Sequence, residues 1–534
     1  MLVEFDENST GIQVLKKERV LQNFEWRGKD LGIVALCERY KSFLLFILLL
    51  CVFLLNGRSL YFRDPGTFFH TRVGEIILEE AEFPESDRFT FTFDGKPWIA
   101  HQWLGQVTMG LLFRMGGFDL TLLFFCMFLA LVFAWLSNQM WRSGMNNLFV
   151  ALSLVFTLIC STHSFLLRPH LFTVGAMLVV FSLLLRIENE PSRFRQILRL
   201  PFIVLLWANI HGGVIGGIGT IGFVMIGWCV FFIAGKESPV TDYKKVTMVI
   251  LVFFLCCFAT LVNPYETELI RFWRTILSTP AVAEYIQEHA PIYKVSFGWV
   301  VVLWGIFYAT ALVGTWRGGA KQRVVWYLPV VWLVLAFGRI RHAPIFAVVA
   351  ALTLSDFWLE VNWFKVLREK GSVLFKPLSY SGQSFWKPVL ISICFICSLA
   401  VLIQNTLNSR MALVHYDDSY WPYSHIKELR TFAEKEGPEA RIMNEMLFGG
   451  FIAFYIPQLQ FFMDDRCELA EESGLQAYVD ILNDNSLLEQ YENKYGFRGA
   501  LTIPGSPFDA FFKCNDRWEA VKTTKAAVFY IKKS

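Results

Sequence analysis

The stretch Phe43–Tyr61 opens Phe-Leu-Leu-Phe-Ile-Leu-Leu-Leu-Cys-Val-Phe-Leu-Leu. A helix needs about 20 apolar residues to cross a bilayer, and this run comes close to supplying them. Comparable runs follow at Leu120–Met140, Leu148–Ser164, Leu171–Leu185, Leu200–Ala234, Val246–Val262, Gly298–Gly314, Val324–Phe337, Ala343–Leu359 and Pro388–Leu402. The run 200–234 is long enough for a broken pair of spans. Across 534 residues, 54% are hydrophobic and 18% charged. Soluble domains hold about 45–50% apolar and about 25% charged residues. This chain therefore has more apolar surface than a soluble core can hide, which points to an α-helical polytopic membrane protein and excludes disordered, collagenous and disulfide-scaffold classes. A net charge of +3 gives no reason to expect nucleic acid as a partner. No cleavable signal peptide is expected, because the first apolar run starts late and no small-residue site follows it.

Lys and Arg set the expected orientation. Lys16, Lys17, Arg19, Arg27, Lys29, Arg39 and Lys41 precede the first span. Placing these and the basic loops 186–199, 236–245, 317–323 and 365–387 in the cytoplasm gives about eleven spans. The expected organisation is a cytoplasmic segment 1–41, a membrane domain 42–404 with a first outer loop 62–104, and an extracytoplasmic α/β domain 405–534. The segment 101–117 is apolar but short, and is read as re-entrant or interfacial. In the tail, Ile426–Glu436 and Ala477–Tyr495 read as amphipathic helices. Ala440–Asn444, Leu459–Met463 and Ala526–Ile531 read as strands. Cys467 and Cys514 fall in that domain, where a disulfide would need an oxidising compartment. No cysteine spacing suggests a zinc site.

Ionisable groups are costly in a bilayer and mark functional sites. Here they gather on the outer side. The first cluster, Arg63-Asp64-Pro-Gly-Thr-Phe-Phe-His70-Thr-Arg72, follows the first span. Asp64 lies at the membrane lip, where a carboxylate can act as general base or metal ligand. The stretch 68–80 reads as an interfacial helix, Phe89–Phe93 as a strand, and Asp87 and His101 follow in the same loop. The second cluster is Ser161–His170, with His163, Arg168 and His170. The third is Trp207-Ala-Asn209-Ile-His211-Gly-Gly213, read as a helix broken where it lines a wet cavity. The fourth is Arg339-Ile-Arg341-His342, whose cations suit an anion such as phosphate. The fifth joins Asn263-Pro-Tyr265 with Glu284 and Glu288, Glu284 being the candidate. Each has a plainer reading: a solvated loop acid, a glycine-mediated helix contact, a snorkelling arginine, or a surface helix face.

In order, these segments resemble a known family. Asp64-Pro-Gly-Thr-Phe-Phe-His70, Asp87-Arg-Phe-Thr-Phe-Thr92 and Gly95-Lys-Pro-Trp98-Ile-Ala-His101-Gln102-Trp103-Leu104 come first. Arg168-Pro-His-Leu-Phe172, Trp207–Gly213, Asn263-Pro-Tyr265 and Arg339-Ile-Arg341-His-Ala-Pro344 follow. In the tail stand Gly449-Gly450-Phe451 and Met463-Asp464-Asp465-Arg466-Cys-Glu468. The set is similar to the GT-C superfamily of polyprenyl-phosphate-sugar-dependent glycosyltransferases, in its bacterial protein-mannosyltransferase-like and aminoarabinose-transferase-like branch. The pattern there reads Asp-Pro-Asp in the first loop and His-Glu-Trp later. Gly66 and Gln102 replace two of its acids here.

The resemblance implies an enzyme of the bacterial inner membrane that moves a sugar from a polyprenyl-phosphate donor to an extracytoplasmic acceptor. Asp64 would be the general base, and His101 and Asp87 would position the substrates. Arg339, Arg341, Arg168 and His170 would hold the lipid phosphate, with His70, Arg72, Asn209, His211, Glu284 and His342 as further binding residues. It fixes no cofactor and leaves a divalent cation open, although the loss of the acids at positions 66 and 102 would weaken a metal site. Two other classes stay open: a transporter or flippase of an anionic lipid or solute, and a non-catalytic protein of envelope-polysaccharide assembly.

Overall fold

The computed structural model describes residues 31–278, 287–378, 385–386, 388–396 and 413–533. Most of the described chain is helical, and the protein is an integral membrane protein. Its helices in chain order are α1 (Leu31–Leu60), α2 (Pro65–Glu80), α3 (Trp103–Arg142), α4 (Asn147–Ser161), α5 (Leu171–Asn189), α6 (Leu200–Ile210), α7 (Val214–Ile233), α8 (Tyr243–Ala259) and α9 (Glu268–Ser278). α10 (Gly298–Arg317), α11 (Leu328–Gly338), α12 (Ala343–Phe357) and α13 (Asn362–Glu369) follow.

Local chemistry sets the helix ends. Asn146 and Asp242 cap α4 and α8 by accepting from the backbone N–H of Phe149 and Lys245. Proline opens α2, α6, α11 and α12, where its missing N–H costs nothing. Among the described residues, seven helices are long and apolar enough to cross a membrane. α6, α8 and α11 are shorter; of the run 388–402, residues 388–396 are helical and the remainder lies outside the described residues.

Two breaks position the site. The apolar stretch 200–234 is interrupted at His211, whose backbone turns extended (φ −161°) before α7 begins. α3 bends at Gly116–Gly117, where Gly117 adopts a left-handed φ of +64° that a side chain would resist. The arm before the bend is about 20 Å long at 1.5 Å per residue, too short to span a hydrocarbon core of about 30 Å. It packs along α2 instead. At that crossing a Cβ on Gly74 would lie 1.9 Å from the Gln106 carbonyl oxygen. Replacing Gly74 with alanine should therefore destabilise the fold by roughly 1–3 kcal/mol through overpacking. Gly219→Ala is the control, because nothing lies within 4 Å of its Cβ position. Thermal unfolding in detergent should separate the two.

The C-terminal part adds α14 (Ile426–Glu436), α15 (Gly449–Tyr455), α16 (Cys467–Asn483), α17 (Asn485–Tyr495) and α18 (Pro507–Cys514). Its strands are β1 (Arg441–Asn444), β2 (Gln460–Phe461), β3 (Gly499–Thr502), β4 (Trp518–Thr523) and β5 (Val528–Lys532). The sheet order is β2-β1-β3-β5-β4, parallel from β2 to β3 and antiparallel beyond. The stretch 477–495, expected as one helix, is divided by Asp484, which caps α17. Cys467 and Cys514 are free thiols.

This sheet unit is seated on the helices. The Val414 N–H donates to Asp119, the Trp421 indole to the Phe62 carbonyl, and Arg63 pairs with Asp417. A Cβ on Gly450 would come within 2.2 Å of the Pro65 carbonyl oxygen, so α15 lies directly on the start of α2. In the first loop, the expected strand over Phe89–Phe93 is reduced to single bridges. Thr90 pairs with Phe461 and Ser86 with Pro97, so the loop extends the edge of the sheet beside β2.

Candidate functional site

The start of α2, the turn between α4 and α5, the break between α6 and α7, α9 and the end of α11 meet the first loop and the segment 465–468 around one cavity of about 480 Å³. Asp64 stands at its edge. It occupies the N-cap position of α2, but its carboxylate does not cap the helix and turns instead toward Arg168. Asp64 is 3% exposed, and its Oδ2 lies 2.5 Å from Arg168 Nε. The other two guanidinium nitrogens face two more acids: Nη2 donates to Glu288, and Nη1 is 4.0 Å from Asp465 Oδ2. The loop carrying Arg168 is tied to the end of α1 by the Leu167 N–H, which donates to the Tyr61 carbonyl.

Burial pushes the Asp64 carboxyl up to about 7 against the pull of Arg168, with Asp465 and Glu288 adding to the rise. Asp465 is raised to about 6, again chiefly by burial. Burial also opposes ionisation of Glu288, but Arg168, His170 and Arg341 outweigh it and hold that acid down at about 2. The cluster thus contains one firmly ionised acid and two that take up protons near neutrality.

The remaining walls present hydrogen-bond donors. Arg341 Nη1 donates to His289 Nε2 at 2.6 Å, which leaves the proton of that ring on Nδ1. Gln102 Nε2 contacts His101 Nε2 at 2.7 Å; with the amide donating, His101 also carries its proton on Nδ1. His101 stacks on Phe272 at 4.0 Å, and burial lowers its pKa to about 3 and keeps it neutral. His211 Nδ1 accepts from the Gly213 N–H and lies 2.8 Å from the Thr173 hydroxyl, which receives the Trp207 indole, so its Nε2 bears the proton. The Nδ1 atoms of His101 and His289, the Trp273 indole nitrogen and Arg466 Nη1 are buried without a partner among the described residues, and all four residues line the cavity. Ile215 (36% exposed) and Leu335 (44% exposed) belong both to the cavity wall and to the apolar outer face of the bundle. The cavity therefore reaches the surface that lipid chains would touch.

Of the residues singled out from sequence, His70, His101, Arg168, His170, His211, Arg339, Arg341 and His342 line this cavity, and Asp64 joins it through Arg168. Three others lie off its wall, each engaged elsewhere. Asp87 binds Arg466 at 2.6 Å and accepts from the Thr90 N–H and hydroxyl. Arg72 faces Glu75 and Glu79 along α2. Asn209 accepts from the Trp103 indole and donates to the carbonyls of Leu205 and Val262, bracing the broken helix. Glu284 lies outside the described residues; Glu288 stands in the cavity. The cavity also holds His289, Asp465, Arg466 and Glu468. The sequence signal for the last three is the tail segment 463–468, one of those that carry the resemblance.

No family model matches this chain, and no curated protein matches it. Among solved structures it is similar to the oligosaccharyltransferase AglB of Archaeoglobus fulgidus, solved with an inhibitory peptide and a dolichol-phosphate. That likeness has 10% identity, covers 88% of this chain and 70% of that one, and has a TM-score of 0.47. It is also similar to ArnT from Cupriavidus metallidurans bound to undecaprenyl phosphate, at 13% identity, 92% and 98% coverage and a TM-score of 0.46. The apo form of that protein gives 14% identity, 91% and 97% coverage and a TM-score of 0.47. Likeness at this level concerns the path of the chain and assigns no residue a role.

Proposed function

We propose that the protein transfers a sugar from a polyprenyl-phosphate donor to a hydroxyl-bearing acceptor at the extracytoplasmic face of the membrane. The observation that carries this reading is a lipid-reaching cavity with a buried acid at one edge and unpartnered donors along its walls. The donor phosphate sits against Arg339, Arg341 and His289, where positive charge and N–H groups meet the charge that builds on the leaving phosphate. The Asp64 oxygen that faces away from Arg168 takes the acceptor proton as the hydroxyl attacks the anomeric carbon. The C–O bond to the phosphate breaks as the new glycosidic bond forms, and the configuration inverts. His101, through its Nδ1–H, and Arg466 orient the sugar and acceptor. The membrane domain supplies the donor site, and the sheet unit closes it from above through the segment 465–468.

Arg341→Ala should weaken binding of undecaprenyl phosphate by roughly 10–100-fold, the loss of one or two hydrogen bonds to a charged group. It should leave the melting temperature near that of the native protein. Equilibrium binding of that lipid in detergent checks this. The wider reading is tested by lipid extracts of cells lacking the protein. These should accumulate a polyprenyl-phosphate sugar that the native protein consumes in membranes and the Asp64→Asn protein does not. Movement of such a lipid across vesicles with no glycosylated product would favour a transporter instead.

A further inference from the structure

We propose that the guanidinium of Arg168 is a built-in cation standing where a divalent metal would otherwise sit, so that this carboxylate cluster works on an arginine in place of an ion. This deepens the reading of the cavity as a glycosyl-transfer site and rests on it for its purpose, though not for its geometry.

The geometry comes from two independent observations. The first is the pairing. Three carboxylates, from the N-cap of α2, from the segment before α10 and from the sheet unit, converge on one side chain. Each of its three nitrogens faces a different acid: Nε faces Asp64, Nη2 faces Glu288 and Nη1 faces Asp465. Three acids from distant parts of the chain around a single positive centre make the arrangement that a metal ion commonly organises. Among the described residues, no group of three or more His, Cys, Asp or Glu side chains converges so as to hold a metal ion. The acids are already directed at the arginine. A guanidinium keeps its charge at every accessible pH, so a divalent ion entering among these acids would meet a fixed positive charge in contact with it.

The second observation is Gly66. A Cβ at this position would lie 2.8 Å from Arg168 Cδ, 3.2 Å from its Nε and 3.1 Å from Asp64 Oδ2. A side chain at 66 would push the arginine out of its present place. The residue that takes an oxygen donor out of the first loop is thus also the residue that makes room for the guanidinium. Gln102 acts in the same direction: where the resembling pattern has an acid, this chain has an amide bound to His101. Arg168 then has a different task from Arg339 and Arg341. It fixes Asp64 through Oδ2 and balances the acids, while the other two arginines remain for the anion.

The test uses the purified full-length protein and Mn²⁺ as the probe, followed by electron paramagnetic resonance of the free ion. The native protein should show no saturable Mn²⁺ site that is lost in Asp64→Asn. The double variant Gly66→Asp, Arg168→Ala should gain one saturable site. One Mn²⁺ bound per native chain and abolished by Asp64→Asn overturns the proposal. So does a folded double variant that takes up no Mn²⁺. Where the double variant does not fold, the native titration against Asp64→Asn decides alone. Sugar transfer by the native protein should also change less than twofold on chelation. The Mn²⁺ titration needs no sugar donor, so a protein that transfers no sugar but behaves as expected towards Mn²⁺ loses the function reading and keeps the cation assignment.

Discussion

Replacing Asp64 with asparagine should leave the protein folded and lower sugar transfer by roughly 10³-fold, within the range of about 10²–10⁴ that a positioned general base contributes. The substitution keeps the shape and the contact with Arg168 but removes the ability to accept a proton. The same assignment fixes the direction of the pH dependence. A base works only when deprotonated, and burial holds Asp64 up at about 7. Transfer should therefore rise as pH increases through neutrality and fall away in mild acid. Asp465 and Glu288 are the charges that add to the rise at Asp64. Asp465→Asn should accordingly move the inflection to lower pH, whereas loss of an unrelated structural acid would leave it in place. Rates measured in membranes across this range, with protein level matched, provide the check. Wild-type transfer by the asparagine variant would remove Asp64 as the base, and an unmoved inflection in Asp465→Asn would remove the coupling.

What could be read from the sequence follows the contrast a bilayer provides. Arg168, His170, His211 and Arg341 stand out because ionisable groups between apolar runs need a reason to be there, and all four line one cavity. The break at His211 was legible for a related reason: two glycines and a histidine do not continue an apolar helix. The contrast fails inside the loops and the sheet unit, where charge is ordinary. Asp87 and Asp64 look alike as first-loop acids, yet one ties the loop to Arg466 and the other faces Arg168. Nothing in the spacing separates these fates, because both depend on a residue more than a hundred positions away. Asp465 and Glu468 carry no bilayer contrast and enter the cavity only through the docking of the sheet unit. β3 and β4 were not anticipated either. β3 is a four-residue buried strand, and β4 mixes charged and apolar residues at an exposed edge, so neither shows a clean alternation.

The docking of loop and sheet unit leads to the second large effect. Arg466 is nearly fully buried, with its guanidinium 2.6 Å from Asp87 and 2.8 Å from Asp464. It lies 4.6 Å from the Phe69 ring centre, 4.9 Å from Trp98 and 5.3 Å from Phe89. One arginine thus joins α2, the first loop and the sheet unit, and neutralises two buried acids. Arg466→Met keeps much of the apolar stem but leaves those acids facing each other without a cation. Breaking a buried pair in this way costs roughly 3–5 kcal/mol, so the melting transition in detergent should fall sharply. Converting both acids to asparagine in the same chain should recover much of the loss, because the penalty lies in the uncompensated charge and not in the missing contact. Asp87→Asn alone should follow the same logic. It should lower thermal stability while transfer, measured well below the melting temperature, stays within a few-fold of native. An Asp87→Asn protein that melts like the native one yet transfers no sugar would place Asp87 in the chemistry and not in the clasp.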